Sequence, residues 1–240
     1  MENRPAIVIL HGWGSSSRSW ERVRDFLEMG GFSVFVPNLP GFGGTKPPKK
    51  NWGVADYGEW VKRYIETINR DNITLLGHSF GGRIAIKMVA QSQPASISNL
   101  ILVDTAGIRH FNTREQVASW AAKKAKMFKS FPGYEYLRWF FYRFILRKKD
   151  YFEARGIMKE VLKRVIEEDM TPLLKDIKIP TLIVWGERDK MTPLEDGYLM
   201  SREIVGSLIR IIPQAGHAVN LERPEELAEI IINYLKTQNG

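Results

Sequence analysis

The sequence predicts an α/β fold on a mostly parallel sheet, from a recurrent set of apolar runs and from what separates them. Six short runs rich in β-branched residues recur along the 240 residues, at 6–10, 32–36, 73–76, 100–103, 181–185 and 208–212. Most are continuously apolar rather than alternating, the pattern of strands covered on both faces. Helical patterns lie between them, and alternating strands and helices favour right-handed crossovers with helices on both faces of one sheet.

Each helix has its own signals. Residues 18–29 carry a helical pattern closed by Gly30 and Gly31, and residues 54–69 place Trp60, Val61, Tyr64, Ile65 and Ile68 on one face. Residues 80–91, 194–205 and 224–236 follow, the last opening on Pro224, which a first helical turn tolerates. One interval breaks the alternation. Between the strands at 100 and 181 lies far more sequence than one crossover helix needs, so residues 109–175 are expected to form a folded helical insertion, a lid over the carboxyl ends of the strands. The core is then 1–108 together with 176–240. Ligands of open α/β sheets bind at that edge.

Composition narrows the chemistry. The chain has no cysteine, which excludes disulfides, thiolate metal sites and a cysteine nucleophile. No His and carboxylate spacing suggests a metal site, and no cofactor is expected. The formal charge of +8 is localised: residues 109–175 hold 16 Lys and Arg against 8 Asp and Glu, while the rest has 19 of each. The first apolar run is too short for a signal-peptide core or a membrane span, so a cytoplasmic location is expected.

The segment G-H-S-F-G-G, Gly77 to Gly82, joins an apolar strand to a helix start within a few residues. A serine at such a turn is held in a strained conformation with its hydroxyl pushed outward, and the flanking glycines leave room where strand and helix pass closely. Ser79 is therefore the candidate nucleophile. A serine hydroxyl needs a base to take its proton, and the base needs a third group to hold its tautomer. His217 follows the last predicted strand and Asp189 the preceding one, so both fall on loops at the same sheet edge as Ser79, in the order Ser, Asp, His. Asp104, which follows the strand before the insertion, is the alternative acid. His11 reads as a structural hydrogen bonder, His78 as a space filler beside the turn, and Ser15, Ser16 and Ser17 as shaping and capping the first helix. His110 has no identifiable partner.

With these motifs in view, the chain resembles the α/β-hydrolase fold superfamily. The likeness runs through H-G-W-G-S-S-S-R-S-W (11–20), P-N-L-P-G-F-G-G-T (37–45), the Ser79 turn and the Asp189 and His217 loops. It implies a sheet of about six strands without the family's usual first hairpin. Asn38 and Thr45 stand where the family commonly has aspartate and serine. An oxyanion hole is expected from two backbone amides: that of Phe80, the residue after the nucleophile at a helix start, and, by resemblance, that of Trp13.

The insertion carries a dense aromatic cluster at 128–144, of which Trp139, Phe140 and Phe144 are candidate pocket residues. Such rings also fasten a lid to its body. An apolar substrate follows from the functional reading. Its basic residues, among them Arg138, Arg143, Arg147, Lys148 and Lys149, read as a solvated face, as a dock for an acidic carrier protein, or as a contact with an anionic membrane surface. The carrier reading follows a likeness of the H-G-W-G and P-G-F-G segments to pimeloyl-carrier-protein methyl esterases. Nucleic acid is not an expected partner, because a basic lid over a triad is not an open binding groove. The expected activity is hydrolysis of a carboxylic ester by a serine enzyme. Amide, peptide or carbon–carbon cleavage on the same triad, and a non-catalytic receptor on the same fold, are the alternatives.

Overall fold

The computed structural model describes residues 4–92, 94–109 and 156–238. Among these, six parallel strands form one sheet in the order β2-β1-β3-β4-β5-β6. The strands are β1 Ala6–Leu10, β2 Ser33–Phe35, β3 Ile73–His78, β4 Ile97–Val103, β5 Thr181–Gly186 and β6 Leu208–Ile212. The helices are α1 Glu21–Met29, α2 Val54–Ile68, α3 Phe80–Ser92, α4 Ile157–Glu167, α5 Leu194–Glu203, the single turn α6 Val219–Glu222, and α7 Pro224–Gln238.

The continuous apolar runs are explained by burial on both sides. Along β1, Ala6, Val8 and Leu10 enter one core layer with α2 and α3, while Ile7 and Ile9 enter the other with α1 and α7. Leu100 and Leu102 against Ile101 and Val103 repeat the division in β4. Each fully buried Leu or Ile contributes about 1.5–3 kcal/mol relative to its exposed state, so these central strands anchor the fold.

The sheet edges depart from the expected pattern. β2 spans only Ser33–Phe35, shorter than 32–36, and β6 alternates in exposure with Leu208 partly in solvent. Among the described residues each has one neighbouring strand, so one margin of its backbone lies at the edge of the sheet. β3 and β4 are longer than expected because they pair with each other beyond the reach of their outer neighbours, Ile73 with Ile97, Thr74 with Asn99 and His78 with Val103.

Within the expected lid, residues 110–155 lie outside the described residues, and with them Trp139, Phe140, Phe144, His110, the 128–144 aromatic cluster and the basic residues 138–149. The returning segment is described. Val161, Val165, Met170 and Leu174 are buried in the core layer that holds α3. The Arg83 guanidinium, on the first turn of α3, donates to the carbonyls of Val165 at 3.0 Å and Glu168 at 2.7 Å, and Lys87 pairs with Glu168. The Met170 N–H donates to Gly107 O at 2.9 Å, so the chain leaving β4 and the chain returning to β5 meet. No helix among the described residues is long and apolar enough to cross a membrane.

Strand order locates the site. β1 continues into α1 on one face and adjacent β3 continues into α3 on the other, so the chain diverges between their carboxyl ends. Such a divergence opens a crevice without any cavity being carved from the core.

Candidate active site

Ser79 is the residue between β3 and α3, with φ of +51°. This left-handed conformation is costly for a residue with a side chain and persists only where the surroundings hold it. They do. The Ser79 N–H donates to Val103 O at 3.1 Å, and its carbonyl accepts from Gly82 N–H at 3.1 Å and Ala106 N–H at 3.2 Å. Crowding explains the glycines: a Cβ at Gly77 would lie 2.5 Å from Gly81 O, and one at Gly81 would collide with the Leu10 carbonyl.

The three predicted side chains meet although they are far apart in sequence. His217 Nε2 lies 3.0 Å from Ser79 Oγ, and His217 Nδ1 lies 2.7 Å from Asp189 Oδ2. The carboxylate can only accept, so Nδ1 carries the proton and Nε2 is left to accept from the serine hydroxyl. The Asp189 side chain is shielded from solvent, and His217 keeps a narrow exposed margin. Burial pushes the Asp189 carboxyl up, but hydrogen bonds from His217 and from Thr192 outweigh it and hold it below the usual range. It is therefore ionised at neutral pH.

Asp189 is held by its own turn. Oδ1 accepts the Met191 N–H at 2.7 Å and the Thr192 N–H at 3.0 Å, while Oδ2 accepts the Thr192 hydroxyl at 2.5 Å. The His217 loop is held from both sides. Gly216 N–H donates to Glu222 Oε2 at 2.7 Å, and the His217 carbonyl accepts from His78 Nε2 at 2.9 Å. His78 is thus more than a space filler beside the turn. It is buried, and burial first, with His217 second, lowers its pKa to about 4, so it stays neutral and donates through Nε2. No pattern in the sequence signals this bond, whose partners are 139 residues apart.

The alternative acid goes elsewhere. Asp104 follows β4 with φ of +41° and turns its carboxyl toward β5, where Oδ1 accepts the Gly186 N–H at 2.8 Å. Its Oδ2 is buried with no partner at hydrogen-bond distance among the described residues. Asp189, not Asp104, touches His217.

The loop after β1 closes the other side. A Cβ at Gly12 would lie 3.3 Å from Ser79 Cβ, so this backbone runs directly against the serine. Trp13 follows, its ring 5.2 Å from Phe80 and 4.8 Å from Phe42, and Tyr57 meets Phe80 at 5.1 Å. An aromatic wall therefore flanks the elbow. His11 has the structural role expected of it: Nε2 accepts from Leu39 N–H at 3.1 Å, which leaves Nδ1 to donate to Gly12 O at 2.8 Å. The serines 15–17 shape the turn before α1 as expected, with the Ser15 hydroxyl 2.7 Å from that of Ser19, but do not cap it through their side chains. Ser16 makes no side-chain cap, and the Ser17 N–H is instead taken by Asn38 Oδ1 at 2.7 Å. The Asn38 carbonyl in turn accepts from the Thr45 hydroxyl at 3.2 Å, so the two positions that depart from the family pattern meet each other.

The chain is similar to known proteins at low identity. A Bacillus subtilis protein described as AB hydrolase superfamily protein YisY is 26% identical over 248 residues, covering 95% of this chain and 90% of that protein. Human monoacylglycerol lipase ABHD6 is 24% identical, covering 97% of this chain and 76% of its own. In structure, an esterase from Exiguobacterium antarcticum superposes with a TM-score of 0.74 at 23% identity, over 97% of this chain and 92% of the other. The description of the alpha/beta hydrolase family matches residues 7–230, which is nearly the whole chain, and the chain belongs to that family.

Proposed function

We propose that the protein is a serine hydrolase that cleaves a carboxylic ester of a small, predominantly apolar substrate through an acyl-enzyme. The observation that carries the reading is the unbroken chain from Ser79 Oγ to His217 Nε2 at 3.0 Å and from His217 Nδ1 to Asp189 Oδ2 at 2.7 Å. Ser79 Oγ attacks the ester carbonyl as its proton passes to His217 Nε2. Asp189 holds the ring and stabilises the imidazolium that forms. The Trp13 and Phe80 amides take the negative oxygen, a contribution of about 2.7–4 kcal/mol for each such donor in a hydrolase of this kind. The tetrahedral centre collapses, the carbon–oxygen bond to the alcohol breaks, and His217 returns its proton to the leaving alkoxide. Water, deprotonated by His217, then attacks the acyl carbon and releases the acid and Ser79.

The apolar preference is supported by the Trp13, Phe42 and Phe80 rings beside the serine. An acyl chain laid against them leaves water, whereas a charged one loses hydration without a partner. An esterase and a lipase among the relatives point the same way.

The test is a panel of p-nitrophenyl esters of graded acyl length with wild type and Ser79→Ala. Hydrolysis that rises with acyl length and disappears in the variant supports the proposal. Equal rates in the two proteins would end it.

A further inference from the structure

We propose that Thr192 is a positioning residue for the triad, a clamp on the plane of the Asp189 carboxylate; this rests on the serine hydrolase reading above. An aspartate's last torsion is broad and only loosely staggered, so its backbone alone does not fix which oxygen faces the imidazole. Thr192 engages both oxygens from one residue. Its N–H donates to Oδ1 at 3.0 Å and its hydroxyl to Oδ2 at 2.5 Å, the oxygen that also accepts His217 Nδ1–H.

The hydroxyl has one proton and two acceptors in reach. Asp189 Oδ2 is close and charged, while the Asp104 carbonyl lies 3.2 Å away and is neutral, so the proton goes to Asp189. His217 Nδ1, also 3.2 Å away, points its own proton at Oδ2 and does not compete. Thr192 is itself anchored. It is buried, and its carbonyl accepts from Nε1 of the fully buried Trp185 at 2.9 Å. Trp185 is the inward residue at the end of β5, so the sheet holds Thr192, Thr192 holds Asp189, and Asp189 holds His217.

The hydroxyl matters most when the proton moves. As Ser79 gives its proton to Nε2, the imidazolium pulls on Oδ2, and a carboxylate held by Oδ1 alone pivots about its Cβ–Cγ bond. That disturbs the transition state more than substrate binding, so the loss falls on kcat rather than KM.

Thr192→Val keeps the shape and the backbone N–H and deletes only the hydroxyl; Thr192→Ser restores it. The assay is hydrolysis of the preferred p-nitrophenyl ester by wild type, both variants, Asp189→Ala and the Asp189→Ala/Thr192→Val double variant. Expected is a fall in kcat of roughly 10- to 100-fold in Thr192→Val with KM changed by less than about twofold, and recovery of most of it in Thr192→Ser. With no carboxylate to clamp, Thr192→Val should add nothing in the Asp189→Ala background. If Thr192→Val does not fold, Thr192→Ala replaces it in every arm. Unchanged kcat in Thr192→Val, an equal loss in Thr192→Ser, or a further loss in the double variant would each overturn the clamp. Wild-type activity that survives Asp189→Ala undiminished would instead count against the triad reading itself.

Discussion

Replacing Asp104 by Asn should make the protein more stable at alkaline pH and change little at acidic pH. The wild-type carboxyl is fully buried, with Oδ1 on the Gly186 N–H and Oδ2 with no partner at hydrogen-bond distance among the described residues. Its pKa is pushed up from 3.8 to about 8, chiefly by burial. The Gly186 N–H opposes the shift and the Asp189 charge reinforces it; more weakly, the Val219 backbone N–H opposes it and the Glu222 charge reinforces it. The raised value sets the sign. Between the unfolded value of 3.8 and the folded value of about 8, the folded protein holds a proton that the unfolded chain has released. Stability from this group is therefore complete below the unfolded value, declines as pH rises, and is lost above the folded value. Each pH unit in that window is worth about 1.4 kcal/mol, so the group contributes a decline of about 4 kcal/mol between roughly pH 5 and pH 8. Asparagine stays neutral, keeps an oxygen for Gly186 N–H, and tolerates the left-handed backbone at this position. Urea unfolding followed by tryptophan fluorescence across this range, for both proteins in the same buffers, isolates the one group. The stability gap in favour of Asp104→Asn should widen steadily with pH. A gap that does not change with pH would refute the reasoning, because it would mean that the carboxyl ionises normally in the folded protein.

Two further outcomes follow from the same geometry. Gly81→Ala should destabilise the fold by more than about 3 kcal/mol, since its Cβ would collide with the Leu10 carbonyl of the central strand; thermal unfolding reads this directly. His78→Phe keeps an aromatic ring but removes the donor to His217 O; kcat should fall by about tenfold while the melting temperature moves by only a few degrees, and steady-state kinetics beside a thermal melt separates the two.

The sequence made the frame legible because its signals are local. Each apolar run, the helix closed by Gly30 and Gly31 and the Ser79 turn is encoded within a few residues, and strand ends brought Asp189 and His217 to the edge that holds Ser79. The choice between Asp189 and Asp104 was not local. Both follow strands, and what separates them is the left-handed turn that sends Asp104 to Gly186 N–H and the short turn that points Asp189 at the imidazole. Thr192 lies three residues from Asp189, and an aspartate accepting backbone N–H groups two and three residues on is a known turn habit that could have drawn attention to it. The second bond, from its hydroxyl, has no such signature. His78 and Asn38 were harder still, because their partners come from other loops of the folded chain. At β2 and β6, apolar composition overstated burial, since position at the edge of a sheet is a property of topology and not of the run itself.

The central claim is that Ser79 is a nucleophile made reactive by His217 and Asp189, and covalent labelling tests it most directly. A fluorophosphonate gives a stable adduct when serine oxygen attacks phosphorus, fluoride leaves and the serine proton passes to the imidazole. Intact mass spectrometry of the folded wild type should show one added phosphonyl group, peptide mapping should place it on Ser79, and Ser79→Ala and His217→Ala should remain unlabelled. Folded wild-type protein that takes up no label, or takes it up at another residue, would contradict the account.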